Sequence, residues 1–344
     1  MADLRCTFAG IQSPNPFWLA SAPPTDKEYN VNRAFEAGWG GVVWKTLGED
    51  PPIVNVSGPR YGAIHSNERR VIGFNNIELI TDRPLKVNLD EIRTIKKDWP
   101  DRALLVSVML PMQEQVWKKY VPMIEDTGAD GIELNFGCPH GMSERGMGAA
   151  VGQVPDYIRM ATEWCKKFAQ KPVVVKLTPN VTNVLPPAKA AWEGGADGVS
   201  LINTINSIMR VNYETLTMYP STDGMGSHGG YCGPAVKPIA LHMVAEIARH
   251  KDTSMIPISG IGGVSDWRDA VDFLEDLPSA VLGAVVDNDE LLVDRPEINF
   301  EDAGDDGADG CLLVVGRHHD TELHAAVEVY SETGWRPDKE CHPG

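Results

Sequence analysis

Short apolar runs rich in β-branched residues recur along this 344-residue chain, and their character narrows the fold more than any other feature. They are Phe17–Ser21, Gly41–Trp44, Ala103–Val108, Gly131–Leu134, Val173–Val175, Gly198–Ile202 and Ile256–Ser259. Each is continuously apolar rather than alternating with polar residues. A strand reads this way when both faces are buried, as in a parallel sheet covered by helices. Helical periodicity fills intervals between them, at Glu114–Thr127, Pro155–Ala169, Pro187–Glu193, Ala235–His250 and Trp267–Leu274. Strands alternating with helices predict βα units. The tetrapeptide Gly-Ala-Asp-Gly occurs at 128–131, 195–198 and 307–310, and its first two copies join a helical pattern to the next apolar run. Glycine ends a helix in the left-handed region, and the tetrapeptide turns the chain into a strand. One αβ turn used repeatedly fits a barrel of similar units, so the expected fold is α/β, a (β/α)8 TIM barrel.

The pattern breaks after Leu274. Between Val281 and Gly310 there are ten acidic residues and one basic residue, Arg295, which is roughly half of the formal net charge of −17. Too little apolar content remains there to pack well. The expected division is a barrel domain over 1–275, an acidic segment over 276–310, and an atypical tail over 311–344. In that tail Cys311–Gly316 offers a replacement strand 8 and Thr321–Thr333 a helix.

In such a barrel the functional residues sit where strands end. Ala20-Ser21-Ala22 closes the first run, and Lys45-Thr46 follows the second. Asn135 and Cys138 follow Gly131–Leu134, and Lys176-Leu-Thr-Pro-Asn180 follows Val173–Val175. Asn203-Thr204 and Asn206 follow Gly198–Ile202, and Gly260-Ile-Gly-Gly263 follows Ile256–Ser259. Two lysines and several amides around one mouth suit a planar, electron-accepting ligand with carbonyls and ring nitrogens. The glycine-rich turn suits a phosphate. The stretch Glu133–Gly148 adds a thiol, Cys138, and an imidazole, His140, on a glycine-rich loop. A thiol there is placed to exchange a proton with a bound substrate; the alternative is a buried structural cysteine.

Composition excludes other classes. The strongly negative charge argues against a nucleic-acid or anionic-membrane surface. The six cysteines include no C-x-x-C, so neither an iron–sulfur run nor a zinc ribbon is expected. The start lacks a signal-peptide pattern and no 18-residue apolar stretch appears, which gives the expectation of a soluble cytoplasmic protein. Gly224-Met-Gly-Ser-His-Gly229 matches G-x-G-x-x-G, but neither a strand before it nor a helix after it supports a nicotinamide site. It reads as a flexible connection.

Asn15-Pro-Phe-Trp-Leu-Ala-Ser21, Gly73-Phe-Asn-Asn-Ile-Glu-Leu-Ile80, Asn135-Phe-Gly-Cys-Pro-His-Gly-Met142, Glu144-Arg-Gly-Met-Gly148 and Lys176-Leu-Thr-Pro-Asn180 together resemble a known family. They are similar to the flavin domain of the dihydropyrimidine dehydrogenases, most of all the bacterial NAD-dependent catalytic subunits, with the class 1 dihydroorotate dehydrogenases as broader relatives. The resemblance runs from about residue 4 to residue 275. It implies FMN at the barrel mouth and interconversion of uracil or thymine with the 5,6-dihydropyrimidine. Ala20, Ser21, Lys45, Lys176, Gly233, Gly260, Gly262 and Gly263 match flavin-contacting positions. Asn76, Glu78, Asn135, Asn203 and Thr204 match pyrimidine-contacting positions, Cys138 the catalytic cysteine, and His140 its loop neighbour. The implied chemistry is hydride exchange between flavin N5 and C6 of the pyrimidine, and proton exchange between Cys138 and C5.

Expected partners are a small pyrimidine, a flavoprotein electron-transfer subunit carrying the NAD site, and a second copy of the chain as a homodimer, with neither nucleic acid nor membrane. The family's Val-Gln-Val-x-Thr-Ala strand and the usual two-cluster iron–sulfur extension have no match here, so flavin binding is expected to be weaker than in an intact relative. Two alternatives stand beside this one. A dihydroorotate dehydrogenase-like enzyme is disfavoured by Glu78, which would repel a substrate carboxylate. The other is a catalytically impaired, partner-binding subunit.

Overall fold

The computed structural model describes residues 4–53, 58, 60–66, 70–139, 141–222, 225–275, 280–284, 311–316 and 324–329. Eight parallel strands close a barrel: β1 (Trp18–Leu19), β2 (Gly41–Leu47), β3 (Ala103–Val108), β4 (Gly131–Asn135), β5 (Val173–Lys176), β6 (Gly198–Leu201), β7 (Ile258–Gly260) and β8 (Ala280–Ala284). Helices α1 (Glu28–Glu36), α2 (Leu85–Asp98), α3 (Glu114–Glu125), α4 (Pro155–Phe168), α5 (Leu185–Glu193), α6 (Lys237–Arg249) and α7 (Trp267–Glu275) each follow the strand of the same number. The (β/α)8 expectation holds, and the continuous apolar runs are its strands.

Sequence chemistry explains the elements. Helix α4 starts with Pro155, whose missing N–H costs nothing in a first turn, and buries Ile158, Ala161, Thr162 and Cys165 at helical spacing. Fully burying a side chain such as Ile158 stabilises by roughly 1.5–3 kcal/mol. On the strands, alternate residues face opposite ways. Val42, Trp44, Leu104, Val106, Ile132, Leu134, Val173 and Val175 join the core beneath the helices. Val43, Leu105 and Val174 belong to a second, inner cluster with Phe8, Ile11 and Trp18. That cluster contains the hairpin Cys6–Phe8/Ile11–Ser13, which turns through Ala9 and Gly10, both at positive φ. A Cβ added at Gly131 would meet Ile11 Cδ1 at 3.1 Å, and one at Gly198 would meet Phe8 Cε2 at 3.3 Å. The hairpin therefore caps the N-terminal mouth of the barrel.

The other mouth is roofed by a four-stranded antiparallel sheet ordered Ile205–Ser207, Gly229–Cys232, Val71–Asn76, Tyr61–His65. Two strands come from the β2–α2 connection and two from the β6–α6 connection. The sequence patterns gave no hint of this roof, nor of α1 and α2. Of the stretch 224–229, expected as a flexible connection, Met225–Gly226 pairs with Ser221–Thr222, and Gly229 begins the roof strand Gly229–Cys232, which pairs with Val71–Asn76.

The expected replacement strand 8 is corrected. Cys311–Gly316 pairs antiparallel with His324–Val329. The barrel is closed instead by β8, which pairs in parallel with β7 and β1, so the open edges that a missing strand would leave are not present. The physical reason lies in the local composition. Ala280–Ala284 is a short apolar run placed directly before the acidic stretch, and averaging the two together hid it. The helix expected at Thr321–Thr333 gives way to strand at His324–Val329. The acidic residues Asp287–Asp309 lie outside the described residues. The chain divides into two compact units, Arg5–Asp294, and Met1–Leu4 with Arg295–Gly344.

Candidate active site

The inward side chains of the strands change from apolar to polar toward the C-terminal mouth. Above Val43, Leu105 and Val174 come Lys45, Ser107, Glu133, Asn135, Lys176 and Ser200, all buried. A cleft of about 1080 Å³, open to solvent, lies between this polar layer and the roof sheet.

The cleft gathers most residues that the sequence singled out. Ser21, Lys45, Lys176, Gly233, Gly262 and Gly263 border it, as do Asn76, Glu78, Asn135, Asn203, Thr204 and Cys138. Ala20 and Gly260 are not among its lining residues. Ala20 is buried, and the free side of Gly260 faces α7, where a Cβ would meet Phe273 Cδ1 at 2.7 Å. His140 lies outside the described residues.

The floor is a hydrogen-bonded chain of hydroxyls and amides. Thr46 Oγ1 lies 2.9 Å from Ser107 Oγ and 3.2 Å from Ser21 Oγ, and accepts from Asn135 Nδ2 at 2.9 Å. Asn135 Oδ1 accepts from Gly137 N at 3.1 Å and Asn203 Nδ2 at 2.9 Å, and Asn203 Oδ1 accepts from Thr204 N at 2.8 Å. Each amide has four hydrogen-bonding positions, and these contacts fix both amide planes while leaving N–H groups for a ligand. A Cβ at Gly137 would run into Asn203, so glycine here lets the cysteine loop pass close over the amides.

Two lysines stand on opposite sides. Lys176 Nζ lies 3.8 Å from Glu133 Oε1, with side chains 5% and 1% exposed. Ser200 Oγ donates to Glu133 Oε2 at 2.9 Å, and Glu133 Oε1 accepts no hydrogen bond. Lys45 Nζ pairs with Glu78 Oε1, which Arg60 Nη1 also approaches at 3.3 Å, while Tyr61 donates its phenol to Glu78 Oε2. Burial, then the hydrogen bond to Glu78 and its charge, push the Tyr61 phenol well above its usual range, so it stays a donor. Cys138 packs with Ile80, Met109 and Met142, on a loop held by the bond Ala149 N to Cys138 O at 3.0 Å. Gly141, Gly146 and Gly148 all have positive φ in that loop.

At the far end Gly262 and Gly263 have φ of +126° and +73°, and a Cβ at Gly263 would lie 2.8 Å from Lys237 Cβ and 2.9 Å from its backbone nitrogen. Gly233 precedes the turn Pro234–Val236 that leads into α6. Side-chain-free backbone against the start of a thirteen-residue helix is a cradle for an anion.

Sequence reasoning missed Ser107, Glu133, Ser200, Tyr61 and Phe74. The first three carried a usable signal, since each is a lone polar residue on the inward phase of a strand. The two aromatics carried none, because the roof strands show no clear period.

Comparison with known proteins fits this arrangement. The dihydroorotate dehydrogenase family profile matches residues 3–283. The chain belongs to the dihydroorotate dehydrogenase family. Among relatives of this family, the chloroplastic dihydropyrimidine dehydrogenase (NADP(+)) of Arabidopsis thaliana is 42% identical over 281 residues, covering 79% of this chain and 66% of the relative. The NAD-dependent dihydropyrimidine dehydrogenase subunit PreA of Escherichia coli K12 is 40% identical over 272 residues, covering 79% and 65%. The catalytic subunit of dihydroorotate dehydrogenase B (NAD(+)) from Pyrococcus abyssi is 35% identical over 280 residues, covering 79% and 83%. The chain thus spans just under two thirds of the length of the first two relatives. The crystal structure of DHODH from Eimeria tenella superposes with a TM-score of 0.64 at 18% identity, covering 83% of this chain and 79% of that one, which supports the fold.

Proposed function

We propose that this chain is the catalytic part of an FMN-dependent dihydropyrimidine dehydrogenase, an oxidoreductase acting on the C5–C6 bond of uracil or thymine. The observation that carries the proposal is convergence. Cys138, two lysines, three asparagines and Glu78 come from four separate βα units and meet in one cleft. Greater identity to the two dihydropyrimidine dehydrogenases, 42% and 40%, than to the dihydroorotate dehydrogenase subunit, 35%, points the same way.

The residues fit FMN. The cradle at Gly233, Gly262 and Gly263 would take its phosphate, with Gly262 and Gly263 packed so closely on the start of α6 that a Cβ would press on Ala240 or Lys237. Lys45 and Lys176 would flank the ring system and offset negative charge that develops on it. Bound there, FMN supplies hydride exchange with C6 of the pyrimidine. Asn76, Asn135, Asn203 and Thr204 hold the pyrimidine's carbonyls and N–H groups, their amide planes fixed by the floor network. Cys138 Sγ gives or takes the proton at C5 from the opposite face. The cysteine loop, hinged on glycines, excludes water from the closed cleft. NAD is assigned to a flavoprotein partner, which receives the electrons.

Glu78 favours this function over dihydroorotate oxidation. A carboxylate with a side chain only 9% exposed, facing the cleft, accepts from a ring N–H and repels a ring carboxylate. The test is oxidation of dihydrouracil and dihydroorotate side by side with an artificial electron acceptor, in the wild type and Glu78→Gln. The expected outcome is a strong wild-type preference for dihydrouracil that narrows in the variant. A wild-type preference for dihydroorotate overturns the substrate assignment.

A further inference from the structure

Three donors converge on the Glu78 carboxylate, and two of them come from the roof rather than from the barrel. Lys45 Nζ and Arg60 Nη1 both approach Oε1, and Tyr61 OH takes Oε2. Tyr61 opens the roof strand Tyr61–His65 and stands directly opposite Asn76 in the antiparallel register. Its ring stacks on Phe74 with centroids 5.4 Å apart and planes at 22°. Both rings border the cleft. Backbone pairing, ring stacking and burial therefore leave the phenol little freedom to point elsewhere.

A carboxylate rotates freely unless both oxygens are held. It offers about four acceptor positions in its plane. Lys45 and Arg60 approach one oxygen, and Tyr61 holds the other, so the three contacts together fix the plane. Arg60 is anchored in its own right, with Nη2 at 3.7 Å from Asp82 Oδ2 and its carbonyl accepting from Ile77 N at 2.9 Å.

We propose that Tyr61, supported by Phe74 and Arg60, is the positioning residue that locks the Glu78 carboxylate in the orientation that accepts a ring N–H from the substrate, and so helps set specificity for a pyrimidine ring unsubstituted at nitrogen. The inference rests on the proposed dihydropyrimidine function. It adds to it a residue that acts on substrate only through Glu78. The phenol serves because it donates without bringing charge to a carboxylate that Lys45 and Arg60 already pair with. A third cation at that place would cancel more of the carboxylate's charge.

Tyr61→Phe removes one hydroxyl and keeps the ring stack. With dihydrouracil and an artificial acceptor, the expected result is a KM raised about tenfold with kcat within about twofold, since positioning lost equally in ground state and transition state appears in KM. Discrimination between dihydrouracil and its N-methyl derivatives is expected to shrink by a similar factor. Because Tyr61 acts through Glu78, Tyr61→Phe placed in a Glu78→Gln background is expected to raise KM no further. Flavin content and thermal midpoint of each variant are measured alongside, and a purely structural role would move these and not the KM-to-kcat split. A wild-type-like KM in Tyr61→Phe overturns the inference, and so do effects of the two substitutions that multiply. Should Tyr61→Phe not fold, Arg60→Lys replaces it in the same cycle, with the same two outcomes deciding. A wild-type protein that does not oxidise dihydrouracil overturns the proposed function itself, before any variant is compared.

Discussion

Glu133 and Lys176 form the most buried charge pair among the described residues, 3.8 Å apart inside the barrel. Taking two charges from water is costly, and what offsets it here is their attraction and the bond from Ser200 to Glu133 Oε2. Glu133→Gln keeps an acceptor for Ser200 but leaves the Lys176 ammonium without its counter-charge. Breaking a buried pair from one side typically costs about 3–5 kcal/mol. The expected outcome is a loss of that order in urea unfolding of the apo-protein, with much of it recovered in Glu133→Gln/Lys176→Met, where no charge is left unpaired. Equal losses in the single and double variants would show that the two groups are not coupled. The pair also marks how far single residues were legible. Asn135 and Lys176 stood out because they follow apolar runs, and they do line the cleft. Glu133 shares their inward phase two residues earlier, yet inside an apolar run it looked like part of a strand end. Tyr61 and Phe74 were out of reach, since their role depends on the register of two short antiparallel strands inside the β2–α2 connection.

At the scale of elements, the Gly-Ala-Asp-Gly repeat proves to be a clip. Gly128 and Gly195 have φ of +86° and +91° and end α3 and α5. The aspartate then ties three parts together. Asp130 Oδ2 accepts from Leu104 N and Lys96 Nζ, each at 2.8 Å. Asp197 Oδ2 accepts from Val173 N and Lys166 Nζ, each at 2.7 Å. In both cases the backbone nitrogen lies at the start of the neighbouring strand and the lysine sits on the helix that precedes that same strand, so one motif repeats one geometry two units apart. Hydrogen bonds to charged groups contribute about 1.5–3 kcal/mol. Asp130→Ala and Asp197→Ala are each expected to destabilise by about that amount, and by similar amounts, in denaturant titrations. A large cost at one and none at the other would mean that the shared geometry does not carry the stability. The third copy, at 307–310, lies outside the described residues. Elements were legible where they repeat: strand cores and α3 to α7 fall within a few residues of their sequence patterns. The roof sheet was not, because short antiparallel strands in long connections draw their order from pairing and not from local periodicity.

For the whole molecule, closure of the barrel matters most. The run Ala280–Ala284 joins β7 to β1, so the scaffold that holds the lysines, the amides and the cysteine loop is a complete ring. Sequence composition put strand 8 at Cys311–Gly316 because the five residues of the true strand stand beside a long acidic stretch, and length alone makes so short a strand faint. A closed ring anchors the loop of Cys138 and the turn of Gly262-Gly263 on one rim, which is what the proposed two-sided reaction on a flat ring requires. The most direct measurement is a single-turnover one: the FMN-reconstituted chain is mixed anaerobically with dihydrouracil, and bleaching of its visible flavin absorption is followed for the wild type and Cys138→Ala. The account predicts bleaching by dihydrouracil in the wild type, and bleaching slowed by about 10²–10⁴-fold in Cys138→Ala with flavin still bound, as expected for loss of an acid–base group. Equal bleaching rates in the two proteins, or no bleaching by dihydrouracil in a flavin-loaded wild type, would contradict it.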